Sequence, residues 1–176
     1  EAETATTRLG ARAAFLDFDD GHLEANVENR FKIVEFIRSE NPDLIVTHHD
    51  DDLHPDHRAA STLVTEAYPL VSLPRVETDS PPCTPQNVFF FGKPTSDFDP
   101  STRIDTSDYQ DAKERAIKAH TSQFEWLENH GGIDAEFESL IEDVRARARV
   151  RGNECGVSFA EGFEALQNTA TAYLGE

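Results

Sequence analysis

The stretch "DLIVTHHDDDLHPDHRAA" (43–60) constrains the fold more than any other part of the chain. Leu44 to Thr47 form a short apolar run rich in β-branched residues, which reads as a buried strand. The ten positions that follow hold four histidines and four aspartates. Pro55 suits the first turn of a helix, where its missing N–H would have no partner anyway, and the pattern carries that helix to about Tyr68. Ahead of the strand, Val27, Phe31, Val34 and Ile37 recur near a 3.6-residue period, so 24–38 is expected to be an amphipathic helix that "NPD" (41–43) stops. Further upstream, 2–9 resemble the last turns of a helix ending at Gly10, and "AAFLDF" (13–18) reads as a strand closed by the turn "DDG". This alternation of helix and strand implies an α/β fold with a mainly parallel sheet. In such folds ligands bind beyond the carboxyl ends of the strands, which is where the His/Asp segment begins.

Downstream, prolines crowd between Pro69 and Pro85, and an irregular excursion that shapes substrate choice is expected there. "NVFFF" (87–91) and "RIDTS" (103–107) read as strands, 108–126 and 135–149 as helices, and "VSFAEGFEAL" (157–166) as an extended piece leading into a last helix. The length suits one domain over 1–176, with enough chain to bury a sizeable core.

Charge excludes whole classes of partner. With 34 acidic against 16 basic residues the formal net charge is -18, which repels nucleic acid and anionic membrane surfaces. The lysines are only Lys32, Lys93, Lys113 and Lys118; a halophilic source, whose salt would screen the self-repulsion, and an ordinary acidic protein both account for this balance. No apolar run reaches the about 20 residues of a membrane span. Cys83 and Cys155 make no disulfide framework and no paired metal motif, so the expected location is cytoplasmic. A homo-oligomer is left open.

The chemistry centres on His54 and His57. Pro55 disfavours helical backbone at His54 and places His57 in the first turn, where the partial positive charge of the helix end favours the neutral imidazole that a metal requires. Asp56 sits beside both rings, able to accept an imidazole N–H and fix its tautomer. The plainer reading is an acidic loop in an acidic protein; placement at a strand's carboxyl end favours the metal site. A catalytic zinc site usually takes three protein ligands, so one loop does not complete it. Asp52 either contacts substrate or solvates the loop, His48 either faces the crevice or packs and caps, and Asp50 and Asp51 read as solvated charges. Phe89, Phe90, Phe91 and Trp126 read as core or pocket wall.

"LIVTHHDDDLHPDHRAA" resembles the His-Pro-Asp-His signature of the LmbE-like, or PIG-L, zinc-dependent de-N-acetylases. "FLDFDDGHL" (15–23), "KAHTSQF" (118–124) and "VRG...CGVSFAEGFEAL" (150–166) are similar to further segments of that family, so the likeness covers almost the whole chain. It implies a Rossmann-like three-layer α/β fold and removal of an acetyl group from N-acetylglucosamine-type substrates with one zinc, or another divalent ion, per subunit. By resemblance His57 matches a zinc ligand. His54 matches the histidine that stabilises the tetrahedral intermediate and protonates the leaving amine, and Asp56 its orienting partner. Asp20, in "DDG", matches a position lining the sugar site, although a plain turn aspartate is the safer reading.

Family members open on a strand ending in Ala-His-Pro-Asp-Asp, which supplies two further ligands and the general base. This sequence lacks that motif. The resemblance therefore implies an N-terminal strand and part of the first helix upstream of Glu1. The alternatives are a non-catalytic binding or regulatory domain that lost those ligands, and an amidase acting on a non-sugar substrate.

Overall fold

The computed structural model describes residues 1–92, 98–130 and 137–166. In chain order the elements are α1 (Ala2–Arg8), α2 (Val27–Glu40), β1 (Leu44–His48), α3 (Pro55–Ala67), β2 (Asn87–Phe91), β3 (Thr102–Asp105), a short 3-10 turn (Ser107–Tyr109), α4 (Gln110–Ile117), α5 (Thr121–His130), α6 (Phe137–Cys155) and β4 (Ala160–Ala165). The strands make one four-stranded sheet in the order β1-β2-β4-β3. β1 and β2 run parallel with His48 opposite Phe91, and β2 pairs antiparallel with β4, so the sheet is mixed. This is the α/β architecture that the alternation of elements implies.

The chain divides into two compact units, 1–17 with 103–161 and 18–102 with 162–176. The second unit carries the His/Asp segment. Its core gathers Val34, Ile37, Ala67, Val71 and Cys83, with Ile33, Ile45, Leu70 and Val76 packed against them. Each large side chain removed from water here contributes about 1.5–3 kcal/mol. Helix α2 starts where Asn26 caps it through Asn29 N–H and stops at Asn41, whose φ of 45° is left-handed. Only half of its expected apolar stripe is buried: Val34 and Ile37 face α3 and the 70–83 segment, whereas Val27 and Phe31 are exposed.

The Pro-rich excursion is organised by one buried cation. Arg38 is 3% exposed, and its guanidinium donates to the carbonyls of Val71 (3.0 Å), Val76 (2.8 Å), Leu70 (3.2 Å) and Leu73 (2.8 Å) and to the Thr78 hydroxyl. Glu35, one turn earlier, accepts from Ser80 N–H and its hydroxyl. A segment without regular structure thus satisfies its backbone polar groups through the end of α2.

In the first unit α1 packs on α4 through Ala5, Ala116 and Ala119. Glu114 of α4 takes a two-pronged ion pair from Arg145 of α6, at 2.9 and 2.6 Å.

Two expected elements differ. Residues 13–18 form no strand: Asp17 adopts a left-handed φ of 54°, Phe15 is 64% exposed, and the run finds no sheet partner among the described residues. The single helix expected over 108–126 is broken into a 3-10 turn, α4 and α5, because Glu1 accepts the Ser122 N–H (2.8 Å) and the Thr121 and Ser122 hydroxyls and so starts a fresh helix at Thr121. Trp126, expected in a core or pocket wall, is exposed. The last helix expected after 166 lies outside the described residues.

Candidate active site

Strand β1 delivers its last residue, His48, to the site, and the period of two in a strand sends His49 the other way. His49 Nε2 meets Glu164 Oε2 of β4 at 3.1 Å while its Nδ1 accepts the Asp51 N–H at 3.0 Å, so His49 ties the strand end to the sheet. His48 packs between rings. Its imidazole lies 4.7 Å from the Phe91 ring and 4.0 Å from that of His57, and His57 in turn lies 4.6 Å from His54. Phe91, His48, His57 and His54 form a continuous column of rings.

The chain then turns on Asp52. Its side chain is only 4% exposed. Oδ1 accepts the His54 N–H at 2.8 Å, and Oδ2 meets His57 Nδ1 at 2.9 Å. Its carbonyl and that of Leu53 accept from Arg58 at 2.6 and 2.9 Å, closing the turn from the far side.

His54 is the N-cap of α3, with extended backbone (φ −78°, ψ 126°) and a side chain that accepts the Asp56 N–H at Nδ1, 3.2 Å away. An acceptor nitrogen bears no proton, so the neutral ring carries its hydrogen on Nε2. Pro55 follows at the first helical position, where it donates nothing that needs a partner. Asp56 and His57 complete the first turn. The Asp56 carboxylate accepts from Gly21 N (2.7 Å) and Leu23 N (3.2 Å), binding the 20–23 loop to the helix start, where a negative charge is favoured.

Among the described residues two groups of metal-ligating side chains bring their donor atoms within 4.8 Å of one another: His48, Asp52 and His57, and Asp20, His54 and Asp56. All six residues singled out in the sequence fall into these two clusters, which His54 and His57 join by ring contact. A set of imidazole nitrogens and carboxylate oxygens without thiolate matches zinc or another first-row divalent ion.

Residues 1–68, which run from α1 through α3 and contain both clusters, match the family model described as PIG-L, GlcNAc-PI de-N-acetylase. Over this stretch the chain is similar to the PIG-L, or LmbE-like, family. It is also 35% identical over 118 residues to the diacetylchitobiose deacetylase of Thermococcus kodakarensis, a match covering 62% of this chain and 42% of that protein. The chain thus spans well under half the length of this curated relative. Among solved structures it superposes on a conserved protein of Thermus thermophilus with a TM-score of 0.83 and 28% identity, over 98% of this chain and 74% of that one. It also superposes on GalB, the 4-carboxy-2-hydroxymuconate hydratase of Pseudomonas putida, with a TM-score of 0.77 and 20% identity, over 97% and 71%. A hydratase on the same fold means that the fold does not choose the reaction; the site must.

Set against the PIG-L signature, the geometry redistributes two roles. The imidazole N–H expected at Asp56 is met instead by the carboxylate of Asp52, while both Asp56 oxygens hold the 20–23 loop and it is the Asp56 main-chain N–H that fixes His54. Asp52, expected to touch substrate or solvent, is buried with both oxygens engaged. Asp20 is exposed at the tip of the turn. The sequence did carry a signal for Asp52: an aspartate two residues before an N-cap closes a side-chain turn onto that cap's N–H. Phe91 was legible only as an apolar strand residue, and its contact with His48 follows from the β1/β2 register.

Proposed function

We propose that the protein is a metal-dependent hydrolase that removes an acetyl group from an N-acetylglucosamine-type sugar or conjugate, with zinc the expected ion. The observation that carries this reading is the joint placement of His57 and His54, two rings 4.6 Å apart at the start of one helix and at the carboxyl end of β1. His57 supplies a ligand from its 34%-exposed side chain, and the similarity of residues 1–68 to the PIG-L family and the name of the deacetylase relative support the reaction class.

Held by His57 together with further ligands, a divalent ion would supply polarisation of the acetamide carbonyl and a lowered pKa for water. The chain's own residues do the rest. His54, with Nδ1 committed to the helix cap, presents Nε2–H as the donor to the oxygen on which charge develops, and a fixed donor of this kind stabilises a tetrahedral species without reorganising. Asp56 holds the 20–23 loop beside these rings, which sets Asp20 within reach of a sugar hydroxyl, and His48 fills the space behind His57.

The test is acetate release from N-acetylglucosamine, diacetylchitobiose and simple acetamides by zinc-loaded protein. Activity on the sugars that His57→Ala abolishes and His54→Ala lowers roughly 100- to 10,000-fold is expected. Unchanged activity in His57→Ala would remove the ligand assignment. Activity on simple acetamides but not on sugars favours the amidase reading, and saccharide binding without hydrolysis favours a binding domain.

A further inference from the structure

Asp52 is the buried acidic group that the reaction proposed above leaves without a task. Its side chain is 4% exposed, one oxygen takes a main-chain N–H and the other faces a ring nitrogen of His57. The 2.9 Å contact between Asp52 Oδ2 and His57 Nδ1 is made by a group that, ionised, only accepts. Nδ1 must therefore carry the hydrogen, and in the neutral ring the lone pair then lies on Nε2.

We infer that Asp52 is a positioning residue that locks His57 in the Nδ1–H tautomer, so that Nε2 is the atom offered to the metal, and that Asp52 is neither a ligand nor a substrate contact. This rests on the proposed metal-dependent function for its purpose but not for its geometry. Three features make the lock rigid. The His54 N–H fixes one Asp52 oxygen, Arg58 grips the Asp52 carbonyl, and the His48 ring lies flat on His57 with 7° between planes. A carboxylate on the distal nitrogen also strengthens imidazole as a donor, and losing such a partner typically weakens metal binding by roughly 10- to 100-fold.

The alternative is that Asp52 ligates the metal directly. The two roles separate in the variants Asp52→Asn and Asp52→Ala. Asparagine keeps only one of the two accepting oxygens: with it on the His54 N–H, the amide N–H donates to Nδ1 and drives the hydrogen onto Nε2, whereas alanine leaves Nδ1 to exchange freely. Two readouts are taken on folded protein, checked by circular dichroism. The first is the tautomer of His57 in the metal-free protein, read from nitrogen-15 shifts of labelled histidine at a pH where the ring is neutral and assigned by its loss in His57→Ala. The second is zinc affinity by calorimetry.

The expected result is Nδ1–H in the native protein, Nε2–H in Asp52→Asn and a mixture in Asp52→Ala, with an affinity loss of roughly 10- to 100-fold in Asp52→Ala and a greater one in Asp52→Asn. A native His57 protonated on Nε2, or a tautomer indifferent to Asp52→Ala, overturns the lock. An affinity loss in Asp52→Asn no greater than in Asp52→Ala assigns Asp52 as a ligand, since an amide oxygen still coordinates weakly, and overturns it too. Absence of zinc binding by the native protein would count against the proposed function, while the tautomer readout would still decide the lock.

Discussion

The ring of His48 lies parallel to that of His57, with centroids 4.0 Å apart and planes within 7°. A flat stack restrains His57 from the side that its hydrogen bond to Asp52 leaves open. Replacing His48 by phenylalanine keeps a flat ring there, and replacing it by alanine does not. Zinc affinity in His48→Phe is therefore expected within a few-fold of native, and His48→Ala is expected to lose roughly tenfold, by titration calorimetry. Equal loss in both variants would mean that a nitrogen of His48, and not its plane, matters.

The Asp56 carboxylate holds Gly21 and Leu23 by their main-chain N–H groups. In Asp56→Ala those two amides lose their acceptor and should exchange with deuterium much faster than in native protein. Hydrogen bonds to a charged group contribute about 1.5–3 kcal/mol, so a loss of about 2 kcal/mol in urea unfolding is expected. Native protection at both amides in the variant would contradict the tether.

Arg38 is buried with four carbonyls and a hydroxyl on its guanidinium. Arg38→Met fills much of the volume and removes every donor, leaving several main-chain acceptors of the 70–78 segment without a partner. The expected cost is about 3 kcal/mol, with limited proteolysis opening first between residues 70 and 80. Unaltered urea unfolding and proteolysis would show that the segment holds itself.

Acid should weaken the first unit. Hydrogen bonds from the Ser122 hydroxyl, then from its N–H and from Thr121, pull the carboxyl of Glu1 from 4.5 down to about 2. Arg145, with Gln110 adding to it, holds Glu114 below its usual range. A carboxylate whose folded value is depressed adds stability that is complete above its unfolded value and is lost as pH falls through the folded one. The thermal midpoint is therefore expected to fall from about pH 4.5 toward pH 2, and less so in a Glu1→Gln, Arg145→Met double variant. Identical pH profiles would exclude these two groups as the cause.

What the sequence revealed followed the range of the forces involved. Pro55, the apolar run 44–47 and the stripe Val34/Ile37 act over one turn or one strand, and each led to a correct element. The break between α4 and α5 depends on Glu1, more than a hundred residues away in the chain, and no local pattern announces it. The run 13–18 has the composition of a strand, but a strand exists only when a neighbour supplies its hydrogen bonds. Of the site, His54 and His57 were legible because the proline between them fixes their backbone. The exchange of duties between Asp52 and Asp56 was hidden, because it turns on which carboxylate the turn at 50–54 folds inward.

The pairing of His48 with Phe91 across β1 and β2 also decides which of two adjacent histidines does what. Sliding β1 by one position would turn the neighbouring imidazole toward α3 and leave the other facing Glu164. The alignment of two short strands thus acts as a selector, and a one-residue insertion or deletion within 44–47 would disarm the centre while leaving every one of its side chains in the sequence.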